Sequence, residues 1–146
     1  MANYMKSLTS DPQAGRNRRT EFQHILLAED NADLLRMEFE TLVHAGYRVY
    51  IAEDGEAAWT ALNALNRQSD GYDLLITDND MPKLSGIQLL QKLRAEHIDL
   101  PVIMTSGMLP AGVERLQLAA ILQKPFSRQE LVKTVEGVFH AIQVGD

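Results

Sequence analysis

Six residues in this chain are of the types that cation-assisted phosphoryl chemistry needs, and all stand at or just beyond the ends of short apolar runs. Glu29 and Asp30 follow Ile25-Leu26-Leu27-Ala28, and Asp78 follows Leu74-Leu75-Ile76-Thr77 with Asp80 two residues on. Ser106 follows Val102-Ile103-Met104-Thr105, and Lys124 follows Ala120-Ile121-Leu122-Gln123. Magnesium is a hard cation that prefers oxygen ligands and keeps several waters, so a few carboxylates and one carbonyl suffice to hold it. Asp30 and Asp78 are the expected direct ligands, with the backbone carbonyl of Asp80 a third and Glu29 acting through water. An aspartate can also attack phosphorus, which makes Asp78 both ligand and acceptor. Charge on the three oxygens of a transferred phosphoryl group must be neutralised. Magnesium, the Lys124 ammonium, and the Ser106 hydroxyl with nearby backbone N–H groups can supply this. Without a metal, four carboxylates face one lysine, and each close pair repels by about 4 kcal/mol at 4 Å with an effective dielectric of 20.

Each of these groups has an ordinary reading. An acidic pair before a helix can be a cap and dipole partner, Asp78-Asn79-Asp80-Met81-Pro82 can be a turn, Ser106-Gly107 a loop, and Lys124 a solvated side chain. Their common position argues otherwise. In an open parallel sheet, ligands bind beyond the carboxyl ends of the strands, and these groups stand at the ends of the first, third, fourth and fifth predicted strands.

From Gln23 the chain alternates β-like runs with helical patterns, the signature of a parallel sheet covered on both faces. The pattern predicts strands near 23–28, 48–52, 73–77, 102–105 and 120–123. A first helix over about 32–45 has Ala32, Leu35, Phe39, Leu42 and Val43 on one side. A second runs from Asp54, as N-cap, to about Arg67, and a third from about Ile87 to Ala95 after a turn at Gly86. Pro110 and Gly112 interrupt the fourth, leaving about two turns over Val113–Leu118. Ser127-Arg128-Gln129-Glu130 fits a capping box and opens a fifth helix with an apolar stripe of Leu131, Val135, Val138, Phe139 and Ile142.

A chain of 146 residues with 45% apolar content supports one core. Cysteine is absent, which excludes disulfides and thiolate metal sites. No run approaches the roughly 20 apolar residues of a membrane helix, and no apolar secretion signal opens the chain; a soluble, cytoplasmic protein is expected. Residues 1–21 carry Lys6, Arg16, Arg18 and Arg19 against Asp11 and Glu21 and are expected to form a flexible tail or linker. The remaining 125 residues hold ten basic and eighteen acidic groups. An acidic body argues against nucleic-acid binding, which needs clustered Lys and Arg.

The motifs Ala28-Glu29-Asp30, Asp73 to Asp78 through Met81-Pro82 and Gly86, Leu100 to Gly107, and Lys124-Pro125-Phe126 resemble the receiver domain of two-component response regulators, over about residues 22–142. The resemblance implies an α/β, flavodoxin-like, doubly wound five-stranded parallel sheet of order 2-1-3-4-5 with helices on both faces, the fourth helix short or distorted. It implies a signalling switch in a phosphorelay rather than an enzyme. Asp78 would be the phosphoacceptor, Lys124 and Ser106 its assistants, and Glu29, Asp30, Asp78 and the Asp80 carbonyl the magnesium site. The phosphodonor would be a sensor histidine kinase or a histidine phosphotransfer domain. It further implies that the Ser106 hydroxyl moves toward the phosphoryl group and that Lys124-Pro125 is a cis peptide.

The chain departs from the family pattern at three points. The Ser106 to Lys124 interval is about four residues short, Ile121 stands where many receivers have Tyr or Phe, and Asp80 is acidic at a variable position. The first two weaken the expectation of a phosphorylation-driven dimer and leave a monomer or weak dimer. Residues 143–146 leave no room for an output domain, so a stand-alone receiver or one cut from a longer protein is expected. Two alternatives remain: a pseudo-receiver binding module that is not phosphorylated, and a magnesium-dependent phosphatase of the haloacid dehalogenase type, whose Asp-x-Asp motif Asp78-Asn79-Asp80 mimics. Pro82 opposes the phosphatase, because that motif wants Thr or Val there.

Overall fold

The five apolar runs pair into one parallel sheet. In a computed structural model, which describes residues 22–65 and 71–145, β1 (His24–Ala28), β2 (Arg48–Ala52), β3 (Leu74–Asp78), β4 (Val102–Ser106) and β5 (Ala120–Gln123) lie in the order β2-β1-β3-β4-β5, as expected. β1, β3 and β4 are almost continuously buried, the pattern of strands covered on both faces. The register places Ala28 beside Ala52 and Thr77, Asp78 beside Thr105, and Ser106 beside Gln123. The strand ends are therefore level, and the groups that follow them share one edge. The expected tail over 1–21 and the end of the second helix near Arg67 lie outside the described residues.

Alternation along the strands separates two cores. Ile25, Leu27, Leu74, Ile76 and Ile103 face α1 (Ala32–His44) and the last helix, where Leu35, Leu42, Leu131, Val135 and Phe139 pack. Leu26, Ala28, Leu75 and Val102 face α2 (Gly55–Leu65) and α3 (Gly86–Ala95), which contribute Ala58, Leu62, Leu89, Leu90 and Leu93. Neither helical stripe is as wide as the pattern suggests. Ala32, Val43 and Ile142 are exposed, and α1 instead buries Glu38 and Thr41.

Helix ends follow local chemistry. Asp54 caps α2 by accepting from the Ala57 N–H at 2.7 Å, and Asn31 caps α1 by accepting from Leu34. Ser85 and Gln88 form a reciprocal capping box for α3, so that helix begins at Gly86, one residue before the predicted start. Ser127 caps the last helix, α4 (Arg128–Val144), by accepting from the Glu130 N–H at 3.1 Å. Its hydroxyl donates to the Glu130 carboxylate at 3.2 Å, so this box closes through the hydroxyl rather than through the Ser127 N–H.

The disrupted helix between β4 and β5 is shorter than the two turns expected. A single 3-10 turn, Val113–Leu116, sits between Gly112 at φ 81° and Gln117 at φ 54°. Pro110 has no N–H to donate and both flanking positions are left-handed, so an α-helix cannot propagate. Arg94 closes the gap from α3, donating to the carbonyls of Ile98 and Leu100 at 3.1 Å each and of Gln117 at 3.5 Å.

The loop after Asp78 is held against α2 at Gly55, where a Cβ would clash with the Leu84 carbonyl oxygen. Gly55→Ala must therefore move that loop and should cost about 1–3 kcal/mol. Gly137, in the middle of α4, has open space around its Cβ position, and Gly137→Ala should stabilise by about 0.4–1 kcal/mol through the unfolded chain. Urea midpoints at unchanged slope would read both effects, and a Gly55→Ala midpoint equal to the parent's would show the loop to be freer than this packing allows.

Candidate functional site

Two strand ends deliver three carboxylates to one point. Glu29 follows β1 and is 1% exposed, Asp78 ends β3 at 3% exposed, and Asp30 lies exposed at the entrance to α1. One oxygen from each lies within 4.8 Å of the other two. Hard oxygens so close would repel unless a cation intervened, and this donor set suits magnesium. The level register of β1 and β3 accounts for the convergence, since neighbouring strands are only about 4.8 Å apart.

Lys124 arrives from the far side of the sheet. Its Nζ donates to Glu29 Oε1 at 3.0 Å and lies 3.2 Å from Asp78 Oδ1. The second approach is an ion pair without hydrogen-bond alignment, so Asp78 Oδ1 stays buried and has no hydrogen-bond donor. Asn31 N–H donates to the other Glu29 oxygen at 3.2 Å. Burial pushes the Glu29 carboxyl up to about 6, even though the Lys124 hydrogen bond and the Asn31 N–H pull the other way. Burial lowers the Lys124 ammonium, but the hydrogen bond and charge of Glu29, together with Asp78, outweigh it and hold it above its usual value.

Of the predicted site residues, the structure brings Glu29, Asp30, Asp78 and Lys124 together. Asp80 lies exposed on the loop above. That loop is fixed by Asn79, whose carbonyl accepts from Met81 and Gly86 and whose side chain accepts from Ile87. Ser106 ends β4, fully buried, and its hydroxyl is engaged by the loop that follows. It donates to the Met108 carbonyl at 2.6 Å and accepts from the Met108 N–H at 3.2 Å. The Lys124–Pro125 peptide is cis.

Glu38 is the residue that the sequence reading missed. It is 1% exposed on the core side of α1, and its Oε1 has no hydrogen-bond partner. Burial, reinforced by the charges of Glu29 and Asp78 against the opposing pull of Lys124, raises its carboxyl to about 8. One turn along, Thr41 accepts from the Arg128 guanidinium at 3.1 Å. The i, i+3, i+7 spacing of Leu35, Glu38 and Leu42 was the available signal.

The match with known proteins agrees with this geometry. The family model described as the response regulator receiver domain matches residues 25–136, and the chain belongs to that family. CpdR, a response regulator receiver protein of Brucella abortus, is 31% identical over 118 residues, which are 78% of this chain and 94% of that protein. The transcriptional regulatory protein CpxR of Klebsiella pneumoniae is 38% identical over 118 residues, 78% of this chain, but only 48% of that longer protein is spanned. Among solved structures, the receiver domain of Francisella response regulator 1452 superposes with a TM-score of 0.72 at 28% identity, covering 82% of this chain and 98% of that one. The chemotaxis response regulator CheY4 of Vibrio cholerae superposes with a TM-score of 0.68 at 25% identity, covering 80% and 98%. The chain is thus a module of two-component signalling rather than a classical enzyme. Among the described residues, no helix is long and apolar enough to cross a membrane.

Glu38 gives stability a pH dependence whose sign is fixed. Its carboxyl titrates at about 8 in the folded chain against 4.5 ordinarily, so between those values the native state holds a proton that the unfolded state has released. Stability therefore falls as pH rises through this window, by up to about 1.4 kcal/mol per pH unit. Glu38→Gln should flatten that decline, and its advantage over the parent in urea unfolding should grow from pH 5 to pH 7.5. Parallel pH profiles would show that Glu38 is ionised in the fold.

Proposed function

We propose that Asp78 accepts a phosphoryl group from the phosphohistidine of a sensor histidine kinase or histidine phosphotransfer domain, and that the chain switches conformation in response. The N–P bond of the donor breaks as an Asp78 oxygen–phosphorus bond forms, and the imidazole departs. The observation that carries this reading is the state of Asp78: a buried carboxylate with an oxygen free of hydrogen bonds, beside one lysine and two further carboxylates.

Asp30, Asp78 and the Asp80 carbonyl would hold magnesium, with Glu29 acting through water. When bound, the metal supplies a Lewis acid for one phosphoryl oxygen. Lys124, 3.2 Å from Asp78, would neutralise a second. Ser106 would serve the third, and for this its hydroxyl must give up both contacts to Met108. Those exchanged bonds make Ser106 the element through which phosphorylation reaches the β4 loop. Nothing in this scheme requires a membrane or nucleic acid, and we place the chain in the cytoplasm as a monomer or weak dimer, built as a receiver over residues 22–142.

Incubation with acetyl phosphate and magnesium should add the mass of one phosphoryl group, and Asp78→Asn should abolish the gain. Millimolar magnesium should also raise the melting temperature by binding the native state, less so in Asp30→Asn. A chain that gains no mass while remaining folded would instead be a binding module with the receiver architecture.

A further inference from the structure

The sheet edge that carries Asp78 holds more negative charge than a metal site needs. The five loops and first helical turns along it, residues 28–34, 52–57, 78–86, 106–112 and 123–131, contain nine carboxylates and three cations. That imbalance equals the formal net charge of the whole chain, -6. Residues 22–146 hold ten basic and eighteen acidic groups, so most of their net negative charge lies along this edge. Six of the nine, Asp30, Asp33, Glu53, Glu56, Asp80 and Glu130, are exposed.

Two of the three cations are already paired with carboxylates of this edge. Lys124 is held by Glu29 and Asp78. Lys83 lies 3.5 Å from Asp54 and 4.0 Å from Glu56. Arg128 reaches down the flank of α1 to Thr41. Helix N-termini at this edge each offer about half a positive charge, but only within their first turn, which offsets a minor part of the rim. At the floor of the rim lies the buried Asp78 oxygen that has no hydrogen-bond donor, so what approaches the acceptor must cross this field.

We propose that the rim selects the phosphoryl donor by charge, disfavouring small free phosphoanions and favouring a polypeptide donor whose phosphorylated side chain is surrounded by Lys and Arg. The inference rests on the receiver reading above and adds a specificity to it. Like-charged reactants meet more slowly at low ionic strength, and salt relieves the repulsion within a Debye length of about 10 Å at 0.1 M. In the reaction with acetyl phosphate, the P–O bond to acetate breaks as the bond to Asp78 forms and acetate leaves. The donor brings negative charge to a negative rim.

The test is phosphorylation followed by intact mass, at saturating magnesium, with acetyl phosphate and with the less negative phosphoramidate, from low to moderate salt. The acetyl phosphate rate should rise roughly threefold with salt, and the phosphoramidate rate less. A variant carrying Asp33→Asn, Glu53→Gln, Glu56→Gln and Glu130→Gln touches no proposed ligand; it should react faster at low salt and lose most of the salt response. Tetralysine should shift amide resonances at Asp33, Glu53 and Glu56 in the parent chain and not in the variant. A parent rate that is flat or falls with salt, a variant no faster at low salt, or no tetralysine shifts at those positions would overturn the rim. No mass gain from either donor would overturn the receiver reading, and the rim's role with it.

Discussion

The structure depends on keeping two buried carboxylates, Glu29 and Asp78, beside one ammonium, Lys124. Charges removed from water are costly unless paired, and a single lysine cannot fully compensate two carboxylates. Burial raises the Glu29 carboxyl, and Glu29 with Asp78 holds the Lys124 proton. That residual imbalance makes the site receptive to a divalent cation. It also ties together distant parts of the chain, because Lys124 follows the edge strand β5 and meets a residue 95 positions earlier across β3 and β4. The sheet order is thus a precondition of the chemistry.

Glu38 extends the same logic into the core. A carboxyl between Leu35 and Leu42 is out of place in an apolar layer, and its burial beside Glu29 and Asp78 keeps it protonated near neutrality. Ionised, it would add a third buried negative charge against Lys124. Protonated, it lets α1 pack tightly over the site without competing for that lysine. The Arg128–Thr41 hydrogen bond keeps the polar stretch of α1 anchored to the start of α4.

What could be read from the sequence was what apolar pattern and strand-end chemistry control. Buried strands appear as continuous apolar runs, so all five were placed to within a residue or so, and the groups after them converge because a parallel register leaves strand ends level. Side-chain direction was not readable in this way. Nothing in Thr105-Ser106-Gly107-Met108 tells whether the hydroxyl turns to the carboxylates or back to Met108, because that depends on the loop path. The Ser85 cap was hidden by the emphasis on Gly86, and Glu38 by a template that asks only which positions are apolar. Pro110 and Gly112 did announce the broken helix, but not that one 3-10 turn and an arginine would replace it.

The functional edge is consequently divided into two sectors. Loops after β1, β2 and β3 are acidic, whereas the loop after β4, residues 107–112, carries no charge and exposes Met108 and Leu109. The two sectors are joined through one residue, since Ser106 is level with the acidic cluster while its hydroxyl makes both of its hydrogen bonds with the Met108 backbone. Each such bond is worth about 0.5–1.5 kcal/mol net, so an anion beside Asp78 that draws the hydroxyl must exceed a penalty of a few kcal/mol at most. A phosphoryl oxygen, as a charged acceptor, forms a hydrogen bond roughly twice as strong as a neutral one. The two energies are close, so on the reading proposed above phosphorylation of Asp78 would decide which partner Ser106 keeps.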